Sequence, residues 1–181
     1  MKQSKVIKKL TKCMIPHQLC RVKMEYYPYS FHYFPIKVNE KFFLSAAEDD
    51  FQLDGFEIRR IKQVVFVEKP DGNFLAIDVS EGVVDDITVP KVNISGWKPI
   101  FRSLKNMNRN IIIEHEDEDP DKCDFYIGKI EEVKKHSVML RCFDADGVWD
   151  EKPTKIYFRD ITSVTFGSRY VDVFSKYVPK L

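Results

Sequence analysis

The alternation of apolar and polar positions is most regular over residues 125–177, where it predicts a run of short strands. Two candidates, residues 125–133 and 137–143, are separated by a turn in which Glu131, Glu132, Lys134, Lys135 and His136 cluster. Asp144-Ala145-Asp146-Gly147 then reads as a hairpin turn, because glycine takes positive φ freely and an aspartate bonds its local backbone. Residues 154–158, 161–166 and 170–177 follow, rich in the β-branched and aromatic side chains that suit a pleated surface. Five short strands in about fifty residues predict a small antiparallel barrel.

Earlier in the chain the period changes. Val6, Ile7, Leu10 and Met14 recur at helical spacing and predict an amphipathic helix over residues 4–14, ended by Pro16. Residues 19–27 alternate as a strand whose buried face carries Cys20, Val22, Met24 and Tyr26. Residues 27–34 are aromatic and punctuated by proline, the pattern of a loop over a barrel end or of an edge strand. Strands are predicted at residues 42–47, 57–61, 63–68 and 73–79, with a turn at Lys69-Pro70-Asp71-Gly72. The helical spacing returns at Ile100, Phe101, Leu104 and Met107, and Ile111, Ile112 and Ile113 open another strand.

The two halves match each other. Ile58, Ile61, Val64 and Phe66 fall on Phe158, Ile161, Val164 and Phe166 at a constant offset of one hundred. Phe42-Phe43-Leu44 falls on Val138-Met139-Leu140 at an offset of 96, which places about four additional residues in the second hairpin, where insertions cost little. The expectation is a mainly β chain with two domains, residues 1–90 and 91–181, each a helix followed by a small five-stranded barrel. That order resembles Sm-like and SH3-like domains, and residues 156–170 are similar to a segment of uncharacterised bacterial proteins of this barrel class. Phe125-Tyr126-Ile127-Gly128-Lys129-Ile130 resembles the first strand pair of such a barrel, with Gly128 at a bend or bulge. The resemblance implies a fold and no activity, since these barrels serve RNA binding, peptide binding and assembly alike. No RNA-contact motif of the Sm proteins carries over.

Composition narrows the choice. In 181 residues, 44% hydrophobic content supplies an ample core, and no apolar run is long enough to span a membrane. The cytoplasm is the expected location, with Cys13, Cys20, Cys123 and Cys142 reduced. Cys13-x3-His17-x2-Cys20 lacks a fourth zinc ligand, and the Asp144 turn has Trp149 and Lys155 where a calcium loop needs glycine and glutamate, so no metal is expected. The acidic run from Glu114 to Asp124 reads as a solvated loop. With four histidines, seven glycines and neither a nucleophile elbow nor a phosphate loop, no enzyme activity and no cofactor are expected.

What charge does suggest is binding. Both helices lie in stretches free of acids, with Lys8, Lys9 and Lys12 on one and Arg102, Lys105 and Arg109 at the other. These cations either hold phosphates or form ordinary wet helix faces. Tyr27, Tyr29, Phe31 and Tyr33 either stack bases of single-stranded RNA or DNA, fill a barrel end, or line a peptide groove. Two readings follow: a non-catalytic interaction or scaffold protein that binds protein partners or itself through barrel edges, and a single-stranded nucleic-acid binder. A net charge of +1 favours the first. Under the second, replacing Lys8, Lys9, Arg102 and Lys105 with Glu abolishes oligonucleotide binding, read by fluorescence anisotropy, without unfolding the chain. Unchanged affinity would remove the helices from that reading.

Overall fold

The structure, a computed structural model, describes residues 1–15 and 17–180. The predicted stop at Pro16 therefore lies outside the described residues. The chain is mainly β and divides into two compact units, Met1–Pro90 and Lys91–Leu181.

The first unit opens with helix α1 (Gln3–Cys13), followed by strands β1 (Cys20–Met24), β2 (Ser30–Val38), β3 (Phe42–Asp49) and β4 (Gln52–Arg60). A short 3-10 turn, Ile61–Gln63, leads into β5 (Val64–Glu68), and helix α2 (Phe74–Ser80) comes last. The ladders are antiparallel in the order β5-β1-β2-β3-β4. Val6 and Leu10, one turn apart on α1, are fully buried against Cys20, Val22, Met24, Phe43, Ile61 and Val67. Burying two such side chains contributes roughly 1.5–3 kcal/mol each, and this fixes the helix on one face of the sheet.

Two expectations fail in this unit. The aromatic stretch is no edge: Ser30–Val38 is an interior strand, paired on both sides. Pro35 is tolerated there because the ladder shifts register between Pro35 and Lys37, at a bulge. Residues 73–79 form no strand, and Ile77 N–H instead donates to the Asn73 carbonyl at 3.0 Å to build α2. Gly82 just beyond the helix, at φ +78°, is the stop signal that ends it, while Asn73 precedes it without a side-chain cap.

The second unit repeats the order. Helix α3 (Trp97–Met107) precedes β6 (Asn110–His115), β7 (Asp124–Val133), β8 (Ser137–Cys142), β9 (Thr154–Tyr157) and β10 (Ser163–Phe166), with α4 (Arg169–Tyr177) at the end. Its antiparallel ladders run β10-β6-β7-β8-β9. Residues 170–177, expected as a strand, are helical because Ser168 caps them, accepting from Val171 N–H at 3.4 Å, and Asp172 sits in the first turn. Val171 and Val178 then pack with Ile112, Ile127 and Phe143, and Phe174 joins them.

Register sets the true correspondence between the units. The bulge between Pro35 and Lys37 recurs between Ile130 and Glu132, an offset of 95. The turn after β4 starts at Ile61 and the one after β9 at Phe158, an offset of 97. The apolar match at one hundred therefore pairs positions three residues apart, and Ile61 corresponds to Phe158, whose ring stacks on Phe101 of α3 at 5.6 Å. The second hairpin is longer by two residues rather than four. Among the described residues no ladder closes the strands of either unit into a ring.

Gly128 lies opposite Cys142, where a Cβ would sit 2.0 Å from the Arg141 carbonyl oxygen. Gly128→Ala is expected to destabilise the protein by about 1–3 kcal/mol in urea denaturation, because backbone rather than a flexible side chain must move. A loss below about 0.5 kcal/mol would show that the strands separate there at little cost.

Candidate functional site

The predicted aromatics do come together. Ring centroids of Tyr27 and Phe31 are 4.8 Å apart, those of Tyr29 and Phe31 5.3 Å, and Phe31 stacks on Tyr33 at 5.7 Å. At their centre is a residue the sequence reading missed. The Arg59 side chain is 1% exposed, with its Cζ 4.8 Å from the Phe31 centroid and 5.5 Å from that of Tyr27. Its Nε donates to Glu57 Oε2 at 2.6 Å and to the Tyr33 hydroxyl at 3.0 Å, and that hydroxyl donates to Glu57 in turn. Burial pushes the Tyr33 phenol well above its ordinary range, Arg59 opposing and Glu57 reinforcing the shift. Tyr33 and Phe31 are thus occupied in seating a buried cation, and Tyr29, 56% exposed, is the ring that faces outward. Alternation along β4 hides Arg59 among Glu57, Ile58 and Arg60, and a buried arginine has no sequence signature of its own.

The basic residues are more dispersed in their roles. Lys8, Lys12 and Arg102 are exposed. Lys9 Nζ donates to the Val67 carbonyl at 2.5 Å, and Lys105 Nζ to the Glu131 carbonyl at 2.5 Å. Arg109 is ion-paired with Asp172 at 3.0 Å. Three of the six candidate phosphate ligands therefore have acceptors within their own unit.

A groove of about 480 Å³ in the second unit was not foreseen. Phe125, Tyr126 and Ile127 of β7 form one side, Cys142 and Phe143 another, and Tyr170 and Phe174 of α4 a third. Phe125 and Tyr170, each 53% exposed, meet edge to face at 6.3 Å, and Tyr170 contacts Phe174 at 5.0 Å. Asp144 and Asp150 stand at the rim. Asp144 is held in place because its Oδ1 accepts from the N–H groups of Asp146, at 3.0 Å, and Val148, at 2.9 Å. Burial, then Asp124, pushes the Tyr126 hydroxyl up to about 12, and burial also lifts the Cys142 thiol to about 11, with Asp150 adding to the rise. Both shifts report a site that disfavours anions. The groove was hidden from the sequence reading by the misassigned strand at residues 170–177, although Ser168 and the spacing of Tyr170, Val171 and Phe174 carried a helical signal.

The first unit has a polar counterpart. Glu48 Oε2 lies 3.1 Å from His32 Nδ1, and Glu48 Oε1 accepts from Phe51 N–H at 2.8 Å. Burial acts to raise the Glu48 carboxyl, but these two bonds hold it below the usual range. Asp78 of α2 is fully buried, and burial followed by Glu48 raises its carboxyl. Among the described residues no group of three His, Cys, Asp or Glu is placed to hold a metal ion, and no helix is long and apolar enough to cross a membrane. In the acidic run, Asp117 and Asp119 accept backbone N–H groups of their own loop.

No protein-family model, curated protein or solved structure matches the chain.

Truncating Arg59 leaves the partly buried Glu57 carboxylate and the buried Tyr33 hydroxyl without their cation. Arg59→Met is expected to cost about 3–5 kcal/mol by chemical denaturation. The folded phenol stays protonated while an unfolded tyrosine ionises near 10, so the stabilisation from Tyr33 is whole below that pH and is lost as pH rises above it. A Tyr33→Phe variant should therefore lose less stability than the parent between about pH 9 and 11, and identical alkaline profiles would count against a buried phenol.

Proposed function

We propose that the chain is a non-catalytic cytoplasmic interaction protein built from two small barrels of SH3-like or Sm-like type, and that a cationic segment of a protein partner docks in the groove of the second unit. The barrel reading is supported by the shared order of a helix followed by five antiparallel strands, and by the bulge repeated at the same place. The observation that carries the binding reading is the pairing of half-exposed rings, Phe125 and Tyr170, with a fixed carboxylate at Asp144. Ring faces attract a lysine or arginine head by about 0.5–2 kcal/mol, and the carboxylates select against an anion. At about 480 Å³ the groove has the size of a site for a few side chains.

Strand addition at a barrel edge is less well supported. Among the described residues β9 pairs only with β8, but Tyr157 on it is covered by Lys155, 4.6 Å away, and Arg159, 5.2 Å away. At the other terminal strand, β5, Lys9 engages the Val67 carbonyl. Charges of this kind blunt an edge against pairing.

The test is fluorescence anisotropy with labelled peptides in which apolar residues alternate with lysine or arginine, beside the same peptides carrying glutamate. Binding of the basic set in the micromolar range is expected, weakened at least tenfold by Phe125→Ser with Tyr170→Ser, at unchanged thermal stability because both rings are half exposed. Equal binding of acidic and basic peptides would end this reading. Salt-sensitive binding of single-stranded oligonucleotides that is lost on reversing Lys8 and Arg102 would replace it with the nucleic-acid one.

A further inference from the structure

A second groove in the second unit, of about 540 Å³, shares no lining residue with the one that holds Phe125 and Tyr170. Its charge is the reverse: Arg109, Lys129 and Lys180 line it, and among the described residues Asp172 is its one acid. Local structure places each cation. Arg109 follows Asn108, whose left-handed φ of 53° ends α3. Lys129 lies within β7, directly across from Asn110 on β6 and from Arg141 on β8. Lys180 is brought in by Trp149, whose Nε1–H donates to the Pro179 carbonyl at 2.7 Å.

These cations keep free donors. Arg109 engages Asp172 through Nη2 alone, at 3.0 and 3.4 Å, and both side chains are about half exposed, so the pair is worth little and leaves the rest of the guanidinium fork open. Lys129 is the more telling residue. Cations directly opposite each other on neighbouring strands repel. Arg141 is balanced by Glu131 at 2.6 Å, whereas the half-buried Lys129 has no ion pair or side-chain hydrogen bond among the described residues. The rest of the lining is fixed in orientation. Trp149 meets Phe143 edge to face at 5.1 Å in addition to its bond to Pro179. Asn110 donates through Nδ2 to Ser175 Oγ at 2.9 Å, which leaves its Oδ1 as an acceptor.

From this arrangement we infer that the groove binds a nucleotide, its phosphate on Arg109, Lys129 and Lys180 and its base against Trp149. A phosphate supplies the anion that Lys129 lacks, and its oxygens accept charge-assisted bonds from the open side of the Arg109 fork. Any base has a π-face to lay along a held indole ring. Asn110 Oδ1 accepts from a ribose hydroxyl or a ring amine. The volume lies within the roughly 300–1,000 Å³ of small-molecule sites. Binding is non-covalent, and no bond is made or broken.

A proton–nitrogen NMR titration of the whole protein with AMP at low salt tests this, because Trp97 and Trp149 are its only two indoles and Trp149→Phe assigns their signals. The Trp149 N–H signal is expected to move with a Kd on the order of 100 µM while that of Trp97 stays fixed. Adenosine, which lacks the phosphate, and inorganic phosphate, which lacks the ring, should each bind at least tenfold more weakly. Arg109→Ala with Lys129→Ala should weaken AMP at least tenfold at unchanged thermal stability. A Trp149 signal that does not move at millimolar AMP would overturn the proposal, as would adenosine or inorganic phosphate binding as tightly as AMP. A single-stranded oligonucleotide that moves the same signal at far lower concentration would overturn it in favour of a nucleic-acid surface. The titrations of the parent chain decide the matter even where the double variant folds poorly.

Discussion

Each unit depends on one constraint, the need to cover the apolar face of a short antiparallel ladder that does not close on itself. Five strands of four to ten residues cannot hide both faces unaided, and an uncovered apolar face exposes the core to water. In the first unit α1 supplies the cover through Val6 and Leu10, and in the second α3 supplies it through Ile100, Phe101 and Leu104. The lysines on the outer side of these helices follow from the same amphipathic pattern. Two of them extend to sheet carbonyls, Lys9 to Val67 and Lys105 to Glu131, so part of the charge that suggests a phosphate surface serves the backbone instead.

Much of this was legible because period and burial coincide. Val6 and Leu10, then Cys20, Val22 and Met24, show helical and strand spacing in the sequence and are buried where that spacing puts them. The misreadings share a cause. Asn73 and Ser168 begin helices in segments whose apolar content also suits strands, and over seven or nine residues periodicity alone does not separate the two. The offset of one hundred failed for a related reason: Val64 and Val164 resemble each other locally, but hydrogen-bond register, fixed by bulges at Ile36 and Glu131, decides which residues are equivalent. Arg59 was illegible for a different reason, since its burial is made tolerable by Glu57, Tyr33 and two ring faces that only the fold assembles.

That buried cation also decides what the first aromatic cluster is for. Desolvating a guanidinium costs several kcal/mol unless charge and hydrogen bonds compensate, and here a carboxylate, a phenol and two rings do so. Rings used in this way have little face left for a nucleobase. The cluster therefore reads as a specificity device of the core, holding β2 and β4 in one register, and the outward-facing Tyr29 is its residual surface.

Register equivalence then locates where the two units differ. At the offset of 95 set by the bulges, His32 corresponds to Ile127 and Glu48 to Phe143, the face of each sheet met by its last helix. In the first unit that face is polar: His32 bonds Glu48, and α2 adds the buried Asp78. In the second it is apolar, and α4 adds Val171 and Phe174 while leaving Tyr170 half exposed beside Phe125. The polar version pairs His32 with Glu48 but leaves both carboxylate oxygens of the buried Asp78 without a hydrogen-bond partner. The apolar version has more ring surface than α4 can cover, and carboxylates stand at its margin. Given one architecture used twice, the unmet apolar surface of the second unit is what supports the binding proposed there.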